Sequence, residues 1–327
     1  MSFIEELKKR KSDVDEAITH MFQKEKAHPL WGHMAYYPEA GGKKLRPFLA
    51  MITAAAFGED EDKAIPYGVA IELVHNFTLV HDDIMDKDEK RRGRKTLHKK
   101  IGEPRAINAG DGLFALAFKK LVEIDVEGET LRRLLDELST SVVKVAEGQE
   151  EDISFEGSYE ISEEDFIEMI EKKTSYLFRA ATRGGAIIGG GDEKQVEEMG
   201  EYARKMGIAF QIQDDYLDLI GEEDKIGKDV GSDIKEGKRT LMVIKSLNEL
   251  PSDDKERLIE ILEEEENTDV EVREAIGLLE KAGAIEYSRE LAEEYAQQAK
   301  EHLRLIPDGE HKDILEGLVD YIISRDK

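Results

Sequence analysis

Two segments, Asp82-Asp83-Ile84-Met85-Asp86 and Asp214-Asp215-Tyr216-Leu217-Asp218, repeat one pattern of carboxylates: two adjacent and a third three positions on. At this chain's Asp frequency roughly 0.2 such patterns are expected by accident, so two call for an explanation. Carboxylates on neighbouring turns of a helix repel one another, and they lose hydration when the helix is packed. Both segments lie in apolar surroundings: Leu73, Val74, Phe77, Leu79, Val80 and Ile84 around the first, and Ile208, Phe210, Ile212, Leu217, Leu219 and Ile220 around the second. Hard divalent cations relieve that repulsion. Mg²⁺ takes one or two carboxylates, keeps several waters and bridges to phosphate oxygens. The competing explanation is that a chain with 74 Asp+Glu against 47 Lys+Arg carries acidic clusters on solvated faces. The apolar context argues against it.

A diphosphate partner would also need cations at fixed positions, and several basic residues sit beside glycines. These are Gly41-Gly42-Lys43-Lys44-Leu45-Arg46-Pro47, Arg91-Arg92-Gly93, Gly227-Lys228 and Gly237-Lys238-Arg239-Thr240, with Lys173-Thr174 in a helical stretch. Singly each is an ordinary solvated patch. The elements that must position them are helical. Proline is scarce, at seven residues, charge is high at 37%, and period-two alternation is rare, so the chain reads as all-α. Helical periodicity predicts helices over residues 3–23, from Arg46-Pro47, up to about Asp86, and over 106–121, 130–153, 163–185, 193–220 and 240–247, with further helices from 252 onward. Residues 91–94 and 221–239 read as loops, the second folded over a site. At about 100° per residue, His75, Thr78 and Asp86 share the face of Asp82, while Gly207, Phe210, Gln211 and Asp218 share that of Asp214. Two such polar stripes facing each other would line a carboxylate cavity in a bundle.

Composition limits the partners. A formal net charge of -27 disfavours nucleic acid and anionic membrane, and the absence of Cys excludes disulfides and thiolate chemistry. The longest apolar stretch, near Phe48 to Phe57, is too short to span a bilayer, and the opening residues lack an apolar signal core. A cytoplasmic protein with no stable membrane insertion is expected.

Taken in order, these motifs, together with Glu72-Leu73-Val74-His75-Asn76, Gly148-Gln149 and Phe210-Gln211-Ile212-Gln213, resemble the trans (all-E) isoprenyl diphosphate synthases. The resemblance spans roughly residues 40 to 300; Lys44 stands where many members have Arg. It implies a large helical bundle, one domain over residues 1–327, with a central diphosphate and Mg²⁺ cavity. It also implies condensation of isopentenyl diphosphate with allylic diphosphates, and a homodimer. Lys43, Arg46, His75 and Arg92 would hold isopentenyl diphosphate. Arg91, Lys173, Lys228 and Lys238 would hold the allylic diphosphate, with Thr174 and Gln211 beside its reacting carbon. Asp82, Asp83, Asp86, Asp214, Asp215 and Asp218 would bind Mg²⁺. Phe77 and Thr78, five and four positions before the first motif, would set product length, a single aromatic there resembling the archaeal pattern for geranylgeranyl diphosphate. The wheel puts Phe77 about 140° from Asp82, which favours Thr78 as tunnel lining. Farnesyl diphosphate is the alternative product. A non-catalytic regulatory subunit would be expected to have lost an Asp motif or basic anchors, a class I terpene cyclase would have no use for Lys43, Arg46 and Arg92, and a calcium-binding structural protein would need a twelve-residue loop.

Overall fold

The computed structural model describes residues 3–23, 28–220, 230–264 and 267–325. They are almost entirely helical, as the composition predicts. The elements run α1 (Phe3–Gln23), α2 (Pro29–Met34), α3 (Leu45–Ala56), α4 (Ile65–Met85), β1 (Lys90–Arg91), β2 (Arg94–Lys95), α5 (Leu97–Ile101), α6 (Glu103–Leu121) and α7 (Gly128–Phe155). There follow α8 (Glu163–Ile170), a π-helical turn (Glu171–Ser175), α9 (Tyr176–Ile188), α10 (Glu193–Ile220), α11 (Ser232–Lys235), α12 (Leu241–Glu249), α13 (Ser252–Glu263), α14 (Asp269–Lys281), α15 (Ala284–Glu301) and α16 (Glu310–Ser324). No described helix is long and apolar enough to cross a membrane.

Three expectations are corrected. Residues 90–95 form a two-residue antiparallel hairpin, not a loop, with Lys90 opposite Lys95 and Arg91 opposite Arg94. Its turn residues Arg92 and Gly93 both have positive φ, at 52° and 72°, the backbone of the tight turn that matches strand twist. Two-residue strands are too short to show alternation. The helix expected over 163–185 is broken by the π turn at 171–175, which periodicity does not register because the extra residue shifts the pattern only locally. Part of the expected loop 221–239 is helical, as α11. Residues 221–229 of that loop, Lys228 among them, lie outside the described residues.

The chain divides into two compact units. The first holds Met1–Val142, Leu177–Tyr202 and His302–Leu318. Its centre is α4, packed along α6 and against α3, and Phe48, Leu49, Met51 and Ile52 of α3 and Tyr67, Ile71 and Leu73 of α4 are all buried. Pro66 suits the first turn of α4, where its missing N–H costs nothing. From that turn to Val74 the helix is buried almost all round; beyond it, half-buried polar positions emerge toward Asp82.

The second unit holds Val143–Tyr176, Ala203–Glu301 and Val319–Lys327. One apolar cluster joins Leu219, Met242, Leu258, Ile261 and Leu279. Another joins Phe166, Met169 and Ile170 of α8 to Ile208 and Ile212 of α10. The start of α8 is fixed by Ser162 and Asp165, which satisfy each other's backbone N–H groups in a capping box.

Candidate active site

In the first unit, a glycine turn and a buried ion pair arrange the basic residues. Gly41 and Gly42 have φ of 94° and 113°, and Lys44 follows at 53°. The Lys44 ammonium is buried, donating to the Pro38 carbonyl at 3.0 Å and to Glu72 Oε1 of α4 at 2.9 Å. Asn76 Nδ2 donates to the same Glu72 oxygen at 2.9 Å. With Lys44 anchored inward, Lys43 is exposed and Arg46 enters the first turn of α3, its guanidinium 4.3 Å from the centre of the Phe178 ring. Arg92 Nη1 donates to the Gly41 carbonyl at 2.8 Å, which lays the hairpin turn on the glycine turn.

His75 belongs to this cluster. Burial first, and then Arg46, Arg92, Lys44 and Arg91, hold its imidazole well below the usual histidine value. A site this cationic in a protein of net charge -27 is suited to an anion.

The first Asp motif closes α4, and its three carboxylates differ. Asp83 is fully buried and accepts from the Tyr37 hydroxyl and from Arg91 Nε, the latter at 2.5 Å. Burial raises its pKa despite the pull of Arg91. Both oxygens of Asp83, expected as a metal ligand, are thus engaged by Tyr37 and Arg91. Asp82, with its side chain 22% exposed, lies 3.7 Å from Arg91 Nη2, and Asp86 is half-buried at the helix cap. Arg91, shared among Asp82, Asp83 and Asp88, is thereby held against the motif.

In the second unit, the π turn carries Lys173 and Thr174. Two glycines make room for it: a Cβ on Gly148 of α7 would lie 2.4 Å from the Lys173 backbone nitrogen, and one on Gly207 of α10 would lie 2.5 Å from Ser175 Oγ. π turns inside helices often mark functional positions. Lys173 Nζ meets Asp152 at 2.5 Å, while Thr174 Oγ1 donates to Gln211 Oε1 and Gln211 Nε2 donates to Asp215 Oδ1, each at 2.8 Å. Thr174 and Gln211, separated by 37 positions, are thus neighbours.

Asp215 is buried, and burial followed by the charge of Asp233 pushes its pKa well above the carboxylate range. Asp218 is spent on α11: Oδ1 accepts from Ser232 Oγ at 2.6 Å and Oδ2 from the Asp233 amide at 3.1 Å. Asp215 and Asp218, expected as ligands, are like Asp83 engaged by neighbouring groups. Asp214 is the open member, 42% exposed, with Arg325 Nη2 2.5 Å from one oxygen. Lys238 lies 2.5 Å from Glu236 and 3.6 Å from Asp233.

Among the described residues no three His, Cys, Asp or Glu side chains converge into a metal-holding group. Asp82 and Asp86 in the first unit, and Asp214 in the second, are each hard oxygen donors of the kind that fits Mg²⁺, which when bound with phosphate needs only one or two carboxylates from the protein. Tyr37, Glu72, Asn76 and Arg325 were not foreseen as site residues. Glu72 and Asn76 carried a signal, being polar in an otherwise apolar stretch; Tyr37 and Arg325 carried none.

The sequence profile described as Polyprenyl synthetase matches residues 29–279. A short chain isoprenyl diphosphate synthase of Methanothermobacter thermautotrophicus is 41% identical, covering 100% of this chain and 99% of the relative. A geranylgeranyl diphosphate synthase of Methanosarcina mazei is 39% identical with the same coverage. The crystal structure of a geranylgeranyl pyrophosphate synthetase from Pyrococcus horikoshii superposes with a TM-score of 0.93 at 39% identity, over 99% of each chain. With both Asp motifs and the described basic anchors in place, this chain belongs to the polyprenyl synthetase family.

Proposed function

We propose that this protein is a short-chain trans-prenyltransferase that condenses isopentenyl diphosphate with allylic diphosphates to geranylgeranyl diphosphate. The observation that carries the reading is the presence of two separate cationic sets, one for each diphosphate. Arg92 rests on the glycine turn that leads into Lys43, and Arg46 and Arg92 lie near His75, while Lys173 stands on the π turn beside Thr174 and Gln211. A chain acting on one diphosphate would need only one set.

The chemistry follows from the substrates. An allylic C1–O bond breaks to a delocalised cation when the departing diphosphate is stabilised, and Lys173, Lys238, Lys228 and Arg91 supply positive charge for that purpose. Mg²⁺, held by Asp82, Asp86 and Asp214, would add Lewis-acid stabilisation of the leaving group when bound. Thr174 and Gln211, fixed by their mutual hydrogen bond, present oxygen dipoles toward the developing cation. The double bond of isopentenyl diphosphate, oriented by Lys43, Arg46, His75 and Arg92, attacks C1. A proton is then lost to the released diphosphate, which removes the need for a protein base, and His75, held neutral, keeps an imidazole available for hydrogen bonding. Apolar walls, with Phe77 and Thr78 among them, exclude water from the cation and limit chain growth.

Residues 1–327 act as one functional domain in this reading, in a cytoplasmic homodimer. Exposed Ile107 on α6, Val122 at its C-terminal cap and Leu135 on α7 are apolar positions that a second copy would cover.

The test is incubation of labelled isopentenyl diphosphate with dimethylallyl, geranyl and farnesyl diphosphates in Mg²⁺, followed by chromatography of the dephosphorylated products. The twenty-carbon product is expected to dominate. Accumulation at fifteen carbons would make it a farnesyl diphosphate synthase, and no elongation from any primer would reject the enzyme reading.

A further inference from the structure

Arg325, just beyond α16, is buried to an extent unusual for an arginine, with its side chain 4% exposed. It lies across one turn of α10. Its guanidinium carbon is 4.2 Å from the centre of the Phe210 ring, Nη2 donates to the Phe210 carbonyl at 3.0 Å, and the same nitrogen is 2.5 Å from Asp214 Oδ1. Its Nε is buried with no hydrogen-bond partner among the described residues. Phe210 and Asp214 are four positions apart and so share a helix face. The Asp214 carboxylate therefore meets a buried cation while its side chain remains 42% exposed.

A guanidinium taken out of water is strongly unfavourable unless a carboxylate answers it, so Arg325 draws on the charge of Asp214. A divalent cation reaching Asp214 draws on the same charge. We propose that Arg325 is a positioning residue that orients Asp214 while competing with the divalent cation for it, which keeps metal affinity low enough for the metal and diphosphate product to leave. This rests on the reading of Asp214 as a metal ligand. Two opposing effects are at work: a fixed carboxylate favours metal binding, and a neighbouring positive charge opposes it. Freezing one short side chain is a small gain, whereas repulsion between a guanidinium and a doubly charged ion on the same carboxylate is large at low dielectric. Repulsion wins. The sign separates this role from a structural one, because a loosened carboxylate binds metal more weakly.

The experiment is titration of the full-length protein with Mn²⁺, followed by electron paramagnetic resonance of the free ion, with and without inorganic diphosphate. Arg325→Met, which keeps much of the volume and removes the charge, is expected to bind Mn²⁺ about three- to tenfold more tightly than wild type. Arg325→Gln should do the same, and Arg325→Lys, which keeps the charge, should stay near wild type. Without metal, Arg325→Met should melt at a lower temperature than wild type, and Mn²⁺ should restore more of its stability. Equal or weaker Mn²⁺ binding by a folded neutral variant, Met or Gln, overturns the proposal. Asp214→Asn tests the underlying reading separately: unchanged Mn²⁺ binding in that variant removes Asp214 from the metal site, and the proposal with it.

Discussion

Arg92 and Gly41 meet through one hydrogen bond, Nη1 to carbonyl at 2.8 Å, and that contact joins two basic loops 51 positions apart in the chain. The approach depends on the next residue, Gly42. A Cβ there would lie 2.8 Å from Arg92 Nη1, and its φ of 113° is one that L residues rarely adopt. Gly42→Ala should therefore displace Arg92 and raise KM for isopentenyl diphosphate roughly tenfold, about 1.4 kcal/mol of binding, while leaving KM for the allylic partner near wild type. Steady-state kinetics with each substrate varied in turn would check it. A matching rise for both substrates would contradict a local role.

The carboxylates of the first motif should separate by phenotype. Asp82→Asn should cost about 3 kcal/mol of transition-state stabilisation, on the order of a hundredfold in turnover, with little change in melting temperature. Asp83→Asn should do the reverse. It leaves Arg91 short of its closest counter-charge, at a cost of about 2 kcal/mol of stability, with the Mg²⁺ concentration for half-maximal activity little altered. Turnover, melting curves and Mg²⁺ titrations on both variants decide it.

Gly148→Ala probes the π turn. The added methyl would meet the Lys173 backbone, which has no flexible end to swing aside, so the turn must move. A loss of about 1–3 kcal/mol of stability is expected, together with lower turnover and weaker allylic diphosphate binding, because Lys173 and Thr174 ride on that turn. Retention of wild-type kinetics in a destabilised variant would show that the turn is only structural.

His75 predicts an acid limit with a definite sign. Its folded-state pKa is depressed, chiefly by burial, so below the unfolded value of about 6.5 the unfolded chain binds a proton that the folded one refuses. Stability is therefore lost as pH falls through that value, by up to about 1.4 kcal/mol per pH unit from this residue. His75→Gln should lose less melting temperature than wild type between about pH 7.5 and about pH 5.5, roughly one unit either side of the unfolded value. Identical slopes would mean that His75 is protonated in the fold.

Phe77 packs between His81 and Phe114, with ring centres 4.8 and 5.2 Å away, and Phe118 continues the row at 5.0 Å from Phe114. The ring is thus directed at α6. If it helps to form the floor for the growing chain, Phe77→Ala opens about one helical turn of depth, and products should lengthen by one five-carbon unit or more. Thr78, on the Asp82 face, donates its hydroxyl to the His75 carbonyl at 2.8 Å. Thr78→Phe should shorten products toward farnesyl diphosphate. Chromatography of products at matched substrate ratios distinguishes the two, and shortening by Thr78→Phe with no change in Phe77→Ala would make Thr78 the sole determinant.

The sequence by itself determined the helical class, the limits of α1 and α10 to the residue, and the two Asp motifs with their basic companions, because helical periodicity and motif spacing are local properties written along the chain. The tertiary structure decided which carboxylates remain open. Asp82 and Asp83 are adjacent and of one residue type, yet one stays partly exposed and the other is buried and accepts from Tyr37, 46 positions away. It also decided that Lys44 is an internal strut, through Glu72 28 positions on, whereas Lys43 is exposed. The π turn became visible only with Gly148 and Gly207 packed against it, and Arg325 reaches the second Asp motif only by meeting Phe210 across 115 positions. Such contacts pair polar groups through space, and a buried charge is tolerated wherever the fold brings its partner, so the pairing leaves no periodic trace in the chain.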